Sequence, residues 1–296
     1  MPPKSLCKKS VTMQAWPEHV ERIVGLALEE DVGKGDITTD AIYSGNETGS
    51  AVLVAKENGV LAGLGLVPYI VSQLDKNVTI QTGLNDGDTV IAGSVIASFE
   101  GPLAPMLSAE RTLLNFFQRM CGIATRTREY VQALSSTRTK ILDTRKTVPG
   151  LRYLDKLAVR AGGGENHRMR LDDRFLIKEN HITMAGGIAQ AINRCMEYRS
   201  SHNLEAAIEI EVANLRELED VLAGEKVDYV MLDNMPLHEM RSAVERIDGR
   251  ILTEASGNVT LDRLSEIAAT GVDFISSGSL THSVRAMDIS MLVNNR

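Results

Sequence analysis

Residues 206–234 read AAIEIEVANLRELEDVLAGEKVDYVMLDN. An apolar run of strand length, AAIEIEV (206–212), opens the stretch and a second, DYVMLDN (228–234), closes it, with a helical pattern over 214–223 between them. A strand, a helix and a strand with short connections make two parallel strands joined by a right-handed crossover. The same unit recurs in both directions. KILDTR (140–145) and RFLIKEN (174–180) precede it, RILTEAS (250–256) and DFISSGS (273–279) follow it, and amphipathic helices are read at 150–161, 186–200, 236–247 and 260–270. Six or so units predict a barrel or an incomplete barrel more than a flat sheet. A doubly wound sheet is the alternative. It would want a G-x-G-x-x-G turn after an early strand, and the sequence has none there.

The first part of the chain has another texture. EHVERIVGLALEE (18–30) has helical spacing, SAVLVAKENGVLAG (50–63) reads as two strands around a turn at Asn58-Gly59, and VPYIVSQLD (67–75) as a helix. NDGDTVIAGSVIASFEG (85–101) suits short strands with tight turns. Residues 15–104 therefore predict an α+β domain, and two helical patterns, 106–121 and 123–135, lead into the alternating part. No internal repeat or low-complexity linker separates them.

Composition excludes several function classes. The chain has 296 residues, a formal net charge of −7 and 4% aromatic residues. An acidic chain with few aromatics is neither built to hold nucleic acid nor drawn to an anionic membrane. No run approaches the length of a membrane span. Cys7, Cys121 and Cys195 are an odd set without C-x-x-C spacing, so reduced thiols in a cytoplasmic protein are expected. MPPKSLCKKSVT (1–12) is basic without the apolar core of a secretory signal, and residues 1–14 read as a disordered tail, with a short targeting leader as the alternative.

Chemistry in a βα barrel sits where strands end. Here the strand ends carry Asp143, Thr144, Arg145 and Lys146; Lys178, Glu179 and Asn180; Glu209 and Glu211; Asp233 and Asn234; Glu254 and Ser256; and Ser276, Ser277, Gly278 and Ser279. AGGGENHRMR (161–170) adds His167 and Arg168 after a glycine run. The glycines are expected to stop a helix, where positive φ is needed, and phosphate binding is the weaker reading. Arg152, Lys156 and Arg160 lie at helical spacing and read as a solvated stripe. Arg145, Lys146, His167, Arg168 and Lys178 instead predict a ligand with several negative charges, since arginine suits bidentate capture of carboxylates. Glu211 and Asp233 would repel such a ligand unless magnesium lies between. The loops at 256–258 and 276–279 suit a phosphate.

The stretch DTRKTVPGLRYLDKLAVRAGGGENHRMRLDDRFLIKENHI (143–182) resembles the signature region of the quinolinate phosphoribosyltransferases. EDVGKGDITTD (30–40), ERTLLNFFQRMCGIAT (110–125), EIEV (209–212), MLDN (231–234), EASGN (254–258) and SSGSLTHS (276–283) are similar to the family in the same order. The resemblance implies an α/β protein of the type II phosphoribosyltransferase kind. An N-terminal α/β sandwich (15–120) would be followed by an incomplete, open α/β barrel (121–282), with 283–296 returning to the first domain. It implies transfer of phosphoribosyl from phosphoribosyl pyrophosphate to the ring nitrogen of quinolinate with decarboxylation. It further implies a homodimer, or a hexamer in some members.

Carried onto this chain, the resemblance gives Arg145, Lys146, His167, Arg168 and Lys178 to the quinolinate pocket, with Arg111 reaching in from the neighbouring subunit and Thr144 among the substrate-binding residues. Glu211 and Asp233 would hold ribose hydroxyls and Mg2+, and Ser256, Gly257, Asn258, Ser277, Gly278 and Ser279 the phosphates. Lys146, Lys178, Glu211 and Asp233 would carry the chemistry. Rival readings are a Schiff-base aldolase using Lys178, a non-catalytic anion-binding barrel, and paralogues with another acceptor. The NHR motif (166–168) favours quinolinate over the paralogues. His19, His202, His238 and His282 read as structural, His181 as a support behind the pocket, Cys121 and Cys195 as packing residues, and Arg138 and Lys140 are given no role.

Overall fold

Local period becomes packed helix at once in the first element that sequence patterning singles out. In a computed structural model of the chain, which describes residues 9–10, 15–43, 47–224 and 226–294, helix α1 (Glu18–Val32) buries Val20, Val24 and Leu28, spaced four apart on one face. In chain order the first part holds β1 (Lys9–Ser10), α1, α2 (Ile37–Ile42), β2 (Thr48–Ala55), β3 (Gly59–Val60), α3 (Leu66–Ser72), β4 (Thr79–Thr82), β5 (Thr89–Val90), β6 (Val95–Pro102) and α4 (Leu103–Ala133). Then come β7 (Lys140–Leu142), α5 (Arg152–Gly162), β8 (Arg174–Ile177), α6 (Glu179–Ala185), α7 (Ile188–Ser201), β9 (Ala207–Val212), α8 (Leu215–Leu222) and β10 (Tyr229–Asp233). The chain closes with α9 (Leu237–Ile247), β11 (Leu252–Ser256), α10 (Leu264–Ala268), β12 (Phe274–Ser276), α11 (Ser279–His282) and β13 (Ile289–Asn294).

The chain divides into two units. The first takes residues 1–128, 148–163 and 284–296. Its main sheet runs β1-β4-β6-β2-β13 among the described residues, and every pair is antiparallel. Alternate residues of β2 (Ala51, Leu53, Ala55) are fully buried, the period-two pattern of a sheet with one face on a core. The last strand, β13, pairs with β2 from Ile289↔Ala55 to Asn294↔Ser50. Within the stretch read as a tail, Lys9 and Ser10 pair with Thr82 and Gln81 of β4, whose edge offers unpaired backbone groups, so these two residues are not free. The rest of residues 1–14 lies outside the described residues.

Two expectations are corrected in this unit. The helical patterns 106–121 and 123–135 are one helix, α4. Gly122 does not break it. A Cβ there would lie 2.2 Å from the Arg285 carbonyl oxygen, so this glycine lets the returning C-terminal segment lie against the helix. Second, α5 groups with the first unit rather than with the strands around it in sequence. The buried Asp155 accepts Arg119 Nε at 2.9 Å and Nη2 at 2.8 Å, a bidentate pair. At Gly162 a Cβ would lie 2.5 Å from both the Ala124 carbonyl oxygen and the Thr127 Cβ. Lys156 is fully buried, so the supposed solvated stripe is no stripe at that position. Gly163, at φ 96°, caps the helix as expected of the glycine run. Cys121 is packed inside; burial pushes its thiol up to about 12, which makes it inert.

The second unit, residues 129–147 and 164–283, holds a parallel sheet of six strands among the described residues, in the order β7-β12-β11-β10-β9-β8. The strands follow one another round the sheet, and the last, β12, pairs with the first, β7. The edges are β7 and β8, neighbours in sequence that do not pair. This is a barrel open between its first two strands. A doubly wound sheet would instead reverse its strand order at a switch point. Beyond β7, Glu165 takes a bridging position: its N–H donates to the Ile141 carbonyl at 2.9 Å and its carbonyl accepts from Asp143 N–H at 3.2 Å. That contact carries the following residues, including His167, to the β7 edge.

The helices obey local rules. Asn214 caps α8 by accepting from the N–H groups of Arg216 and Glu217, at 3.1 and 3.0 Å. Helix α6 was hidden from sequence patterning because it buries none of its residues. No described helix is long and apolar enough to cross a membrane.

Candidate active site

All six strands of the open barrel send residues to one cavity of about 560 Å³ inside the second unit. Thr144, Arg145 and Lys146 come from the β7 end, His167 and Arg168 from the segment beside it, and Leu176 and Lys178 from β8. Glu211, Met231, Asp233, Asn234, Glu254, Ser256, Gly257, Asn258 and Ser276 complete it from β9 to β12. These are the C-terminal strand ends, where backbone leaves the sheet and side chains can converge.

One side of the cavity is cationic. Thr144 Oγ1 accepts the Lys146 N–H at 3.0 Å and tightens the turn that presents Arg145 and Lys146. Burial, and then the charge of Arg145, push the Arg168 guanidinium below its ordinary range. Two guanidiniums held that close repel each other, and a dianion between them would relieve the repulsion.

The other side is anionic and polar. Glu211 accepts Lys178 Nζ at 2.7 Å. Asp233 Oδ2 accepts from Asn234 Nδ2 at 2.9 Å, and Asn234 Oδ1 accepts from Asn258 Nδ2 at 2.9 Å. Asn234, Gly257 and Asn258 all have positive φ, of 51°, 92° and 49°. At Gly257 a Cβ would lie 2.2 Å from Asn234 Oδ1, so glycine is required by both φ and space.

Beneath these groups lies a buried polar layer. His167 is 6% exposed, and Glu209 and Glu254, from the alternate strands β9 and β11, are 0% exposed. His167 Nε2 lies 3.0 Å from Glu209 Oε2 and 3.5 Å from Glu254 Oε2. His167 Nδ1 accepts the Arg168 N–H at 2.7 Å, which leaves the ring proton of a neutral imidazole on Nε2, facing the carboxyls. The His167 N–H donates to Asp143 Oδ1 at 2.9 Å. Burial would raise both glutamates. At Glu209, His167 and Arg174 more than offset it and hold the carboxyl below its ordinary value. At Glu254, burial and the negative charge of Glu209 push the carboxyl well above it. The two carboxyls of the layer are thus pushed in opposite directions, Glu209 down and Glu254 up.

Residues 36–121 match the family described as quinolinate phosphoribosyl transferase, N-terminal domain, and residues 123–292 its C-terminal domain. The chain belongs to the quinolinate phosphoribosyltransferase family. It is 42% identical over 290 residues to quinolinate phosphoribosyltransferase (decarboxylating) 2b, mitochondrial, of Nicotiana tabacum, covering 93% of this chain and 82% of that one. It is 45% identical over 262 residues to a probable nicotinate-nucleotide pyrophosphorylase (carboxylating) of Bacillus subtilis, covering 88% and 89%. The solved nicotinate-nucleotide pyrophosphorylase of Francisella tularensis superposes with a TM-score of 0.90 at 40% identity, over 95% of this chain and 98% of that one.

Of the family positions expected in the site, the fold brings Thr144, Arg145, Lys146, His167, Arg168, Lys178, Glu211, Asp233, Ser256, Gly257 and Asn258 to the one cavity. Ser277, Gly278 and Ser279 are not on its wall. Ser277 is buried and its hydroxyl lies 2.8 Å from that of Ser279, which also meets Tyr130 Oη at 3.0 Å. Gly278 stands behind the cavity, where a Cβ would lie 2.8 Å from Lys146 Cδ. Arg111 belongs to the first unit and is exposed on α4. The glycines 162–164 are likewise outside the cavity wall. Of the seven cations between residues 145 and 170, three (Arg152, Lys156, Arg160) go to the first unit, and Arg170 pairs with Asp172 in solvent.

Asn234, Glu254 and Ser276 line the cavity without having been given a role, and Glu209 lies under it. The available signal was a pair of glutamates inside otherwise apolar strands, where an unpaired charge is costly. His181 accepts the Lys178 N–H on Nδ1 at 3.0 Å and so fixes the start of α6 behind Lys178. The side chain of Lys178 is 49% exposed and ion-paired, the opposite of the dry site an imine-forming amine needs.

Glu211 and Asp233 are hard oxygen donors on the paired strands β9 and β10, and both face the cavity. Two carboxylates do not cage a cation, but magnesium typically takes one or two and completes its shell with water and phosphate oxygens. The donor set fits that use. The one group of three close ligand-type side chains among the described residues is a different one, His167, Glu209 and Glu254.

Proposed function

We propose that this cavity transfers phosphoribosyl from phosphoribosyl pyrophosphate to the ring nitrogen of quinolinate. The products are nicotinate mononucleotide, pyrophosphate and carbon dioxide. The observation that supports it best is one cavity that gathers four cations, Arg145, Lys146, Arg168 and Lys178, with the carboxylates Glu211 and Asp233, at the strand ends of a barrel whose relatives carry that activity in their names. Quinolinate is a dianion, and Arg145, Lys146, Arg168 and Lys178 are placed to take its two carboxylates. The positive charge of the cavity thus has a use in a chain whose formal net charge is −7.

Glu211 and Asp233 hold the ribose hydroxyls and face the anomeric carbon, where positive charge develops as pyrophosphate leaves. Ser256, Gly257 and Asn258 receive the 5′-phosphate on small residues with positive-φ backbone, and Ser277, Gly278 and Ser279 support that cradle from behind Lys146. Lys146 and Lys178 stabilise the leaving pyrophosphate and keep the acceptor in line. Glu211 and Asp233 would hold Mg2+, which would supply further charge neutralisation. Attack leaves a quaternised ring nitrogen; the bond from the adjacent ring carbon to its carboxylate then breaks, carbon dioxide leaves, and the electron pair left on that carbon, stabilised by the positive nitrogen, takes a proton from water, so decarboxylation needs mainly positioning from the protein.

The protein acts as a homodimer, with Arg111 of one subunit completing the cationic wall of the other. A cytoplasmic setting agrees with the free Cys121 and Cys195. The test is turnover: purified protein with magnesium and phosphoribosyl pyrophosphate receives quinolinate or nicotinate, and mononucleotide and carbon dioxide are quantified. Product from quinolinate alone is expected. Product from nicotinate, or none from quinolinate in folded protein, sends the activity to another acceptor.

A further inference from the structure

Beneath the cationic wall, side chains and peptide groups close a ring of polar contacts. His167 Nε2 lies 3.0 Å from Glu209 Oε2. The same oxygen lies 3.3 Å from Arg174 Nη1. The Arg174 carbonyl accepts from Arg168 Nη1 at 3.1 Å, and the Arg168 N–H donates to His167 Nδ1 at 2.7 Å. The ring leaves from Glu209 and returns to it, and it grips Arg168 twice, by its main chain and by its guanidinium. Arg174 is itself fixed from outside, with its Cζ 4.3 Å from the centre of the Tyr229 ring.

His167, Glu209 and Glu254 are close enough to ligate a cation. The ring argues against that use. A neutral imidazole that accepts on Nδ1 carries its proton on Nε2 and has no lone pair there for a metal. The Arg174 guanidinium already holds the same carboxylate oxygen.

We propose that Glu209 is a positioning residue for phosphoribosyl transfer: through His167 and Arg174 it fixes Arg168 in the orientation that meets the dicarboxylate. The proposal rests on the reading of Arg168 as a carboxylate-binding residue given above. An arginine is long and rotamer-rich, and Arg168 stands beside the like charge of Arg145. Left untied, its guanidinium swings away from that charge and must be brought back whenever substrate binds. Tied beforehand, it loses little freedom on binding. Glu209 touches neither substrate nor reacting atoms. It is fully buried, and the cavity wall above it is made by others.

The test is Glu209→Gln, which keeps size and an acceptor but removes the charge that holds His167 and Arg174 together. The KM for quinolinate is expected to rise about tenfold or more, while kcat and the KM for phosphoribosyl pyrophosphate stay within about threefold, because a misplaced binding group weakens only the ligand it meets. In ligand-free protein with ¹⁵N-labelled histidine, wild-type His167 shows the Nε2–H tautomer, and Glu209→Gln loses that single state. In an Arg168→Ala background, Glu209→Gln adds no further loss, since both act on one contact. An unchanged quinolinate KM, equal rises in both KM values, or additive losses overturn the proposal. Should Glu209→Gln fold poorly, Arg174→Gln removes the other tie and is expected to give the same selective rise, smaller in size; its absence overturns the proposal equally. An Arg168→Ala variant with unchanged quinolinate KM sinks the reading of Arg168 itself. A raised KM there with an unaffected Glu209→Gln sinks only the positioning role.

Discussion

Glu254→Gln puts the buried layer to a quantitative test. Glu254 is fully buried, and burial together with the charge of Glu209 raises its carboxyl well above the ordinary 4.5. The folded protein therefore holds a proton on this side chain that the unfolded chain releases once the pH exceeds about 4.5. A raised acid binds more protons in the folded state, so its contribution to stability is complete below 4.5 and declines as pH rises, until the folded group itself titrates. In that window the decline is one proton's worth, about tenfold in the folding constant for each pH unit. Glutamine has the shape of the neutral acid and can meet the same polar neighbours, Glu209 and Ser276. It carries no proton to lose. The variant is expected to match the wild type within about 1 kcal/mol near pH 4.5 and to gain on it as pH rises above that, until the folded carboxyl itself titrates. Denaturant melts of both proteins across that range, compared at each pH, give the difference directly. Parallel stability curves, or a wild type that gains on the variant as pH rises, would refute a neutral Glu254.

Three further outcomes follow from the geometry. Arg168→Ala is expected to cost about 1.5–3 kcal/mol in kcat/KM for quinolinate, the worth of a hydrogen bond to a charged group, with little change in the KM for phosphoribosyl pyrophosphate; steady-state kinetics with each substrate varied checks it. Gly257→Ala places a methyl 2.2 Å from Asn234 Oδ1 at a φ of 92°, so the KM for phosphoribosyl pyrophosphate should rise while that for quinolinate holds. Gly122→Ala improves helix propensity by about 1 kcal/mol, yet it drives a Cβ to 2.2 Å from the Arg285 carbonyl oxygen; overpacking against backbone costs about 1–3 kcal/mol, so a net loss of stability is expected in urea melts, and a gain would show that the segment yields freely.

The alternating strands and helices were legible because each announces itself locally. All six apolar runs became strands and their order became the order of the open barrel. The cavity residues at the strand ends were legible for the same reason, since a strand's end fixes where its last side chains go. Two kinds of feature were not. Helix α6 buries no residue and so leaves no apolar stripe to read. Gly122 looks like a helix breaker in a list of propensities, and only the Arg285 backbone beside it explains why the helix runs on. Within the basic run 145–170, the sequence set Arg152, Lys156 and Arg160 apart as a solvated helix stripe. Folding sends Arg152, Lys156 and Arg160 to the first unit and buries Lys156 there.

Periodicity and motif content, which are properties of neighbouring residues, determined from sequence alone the class of fold, the succession of the barrel strands, the family, and the charge character of the site. Tertiary structure alone decided which of those charges meet. His167 and Glu209 are 42 residues apart in a chain that gives no hint of their contact (209 − 167), yet they lie 3.0 Å apart under the cavity. Glu209 and Glu254 read as two equal carboxylates in two similar strands. Only their burial side by side, with His167 and Arg174 on one of them, lowers one carboxyl and raises the other. Protonation depends on the dielectric and on charges within a few ångströms, and those are set by packing between residues distant in sequence.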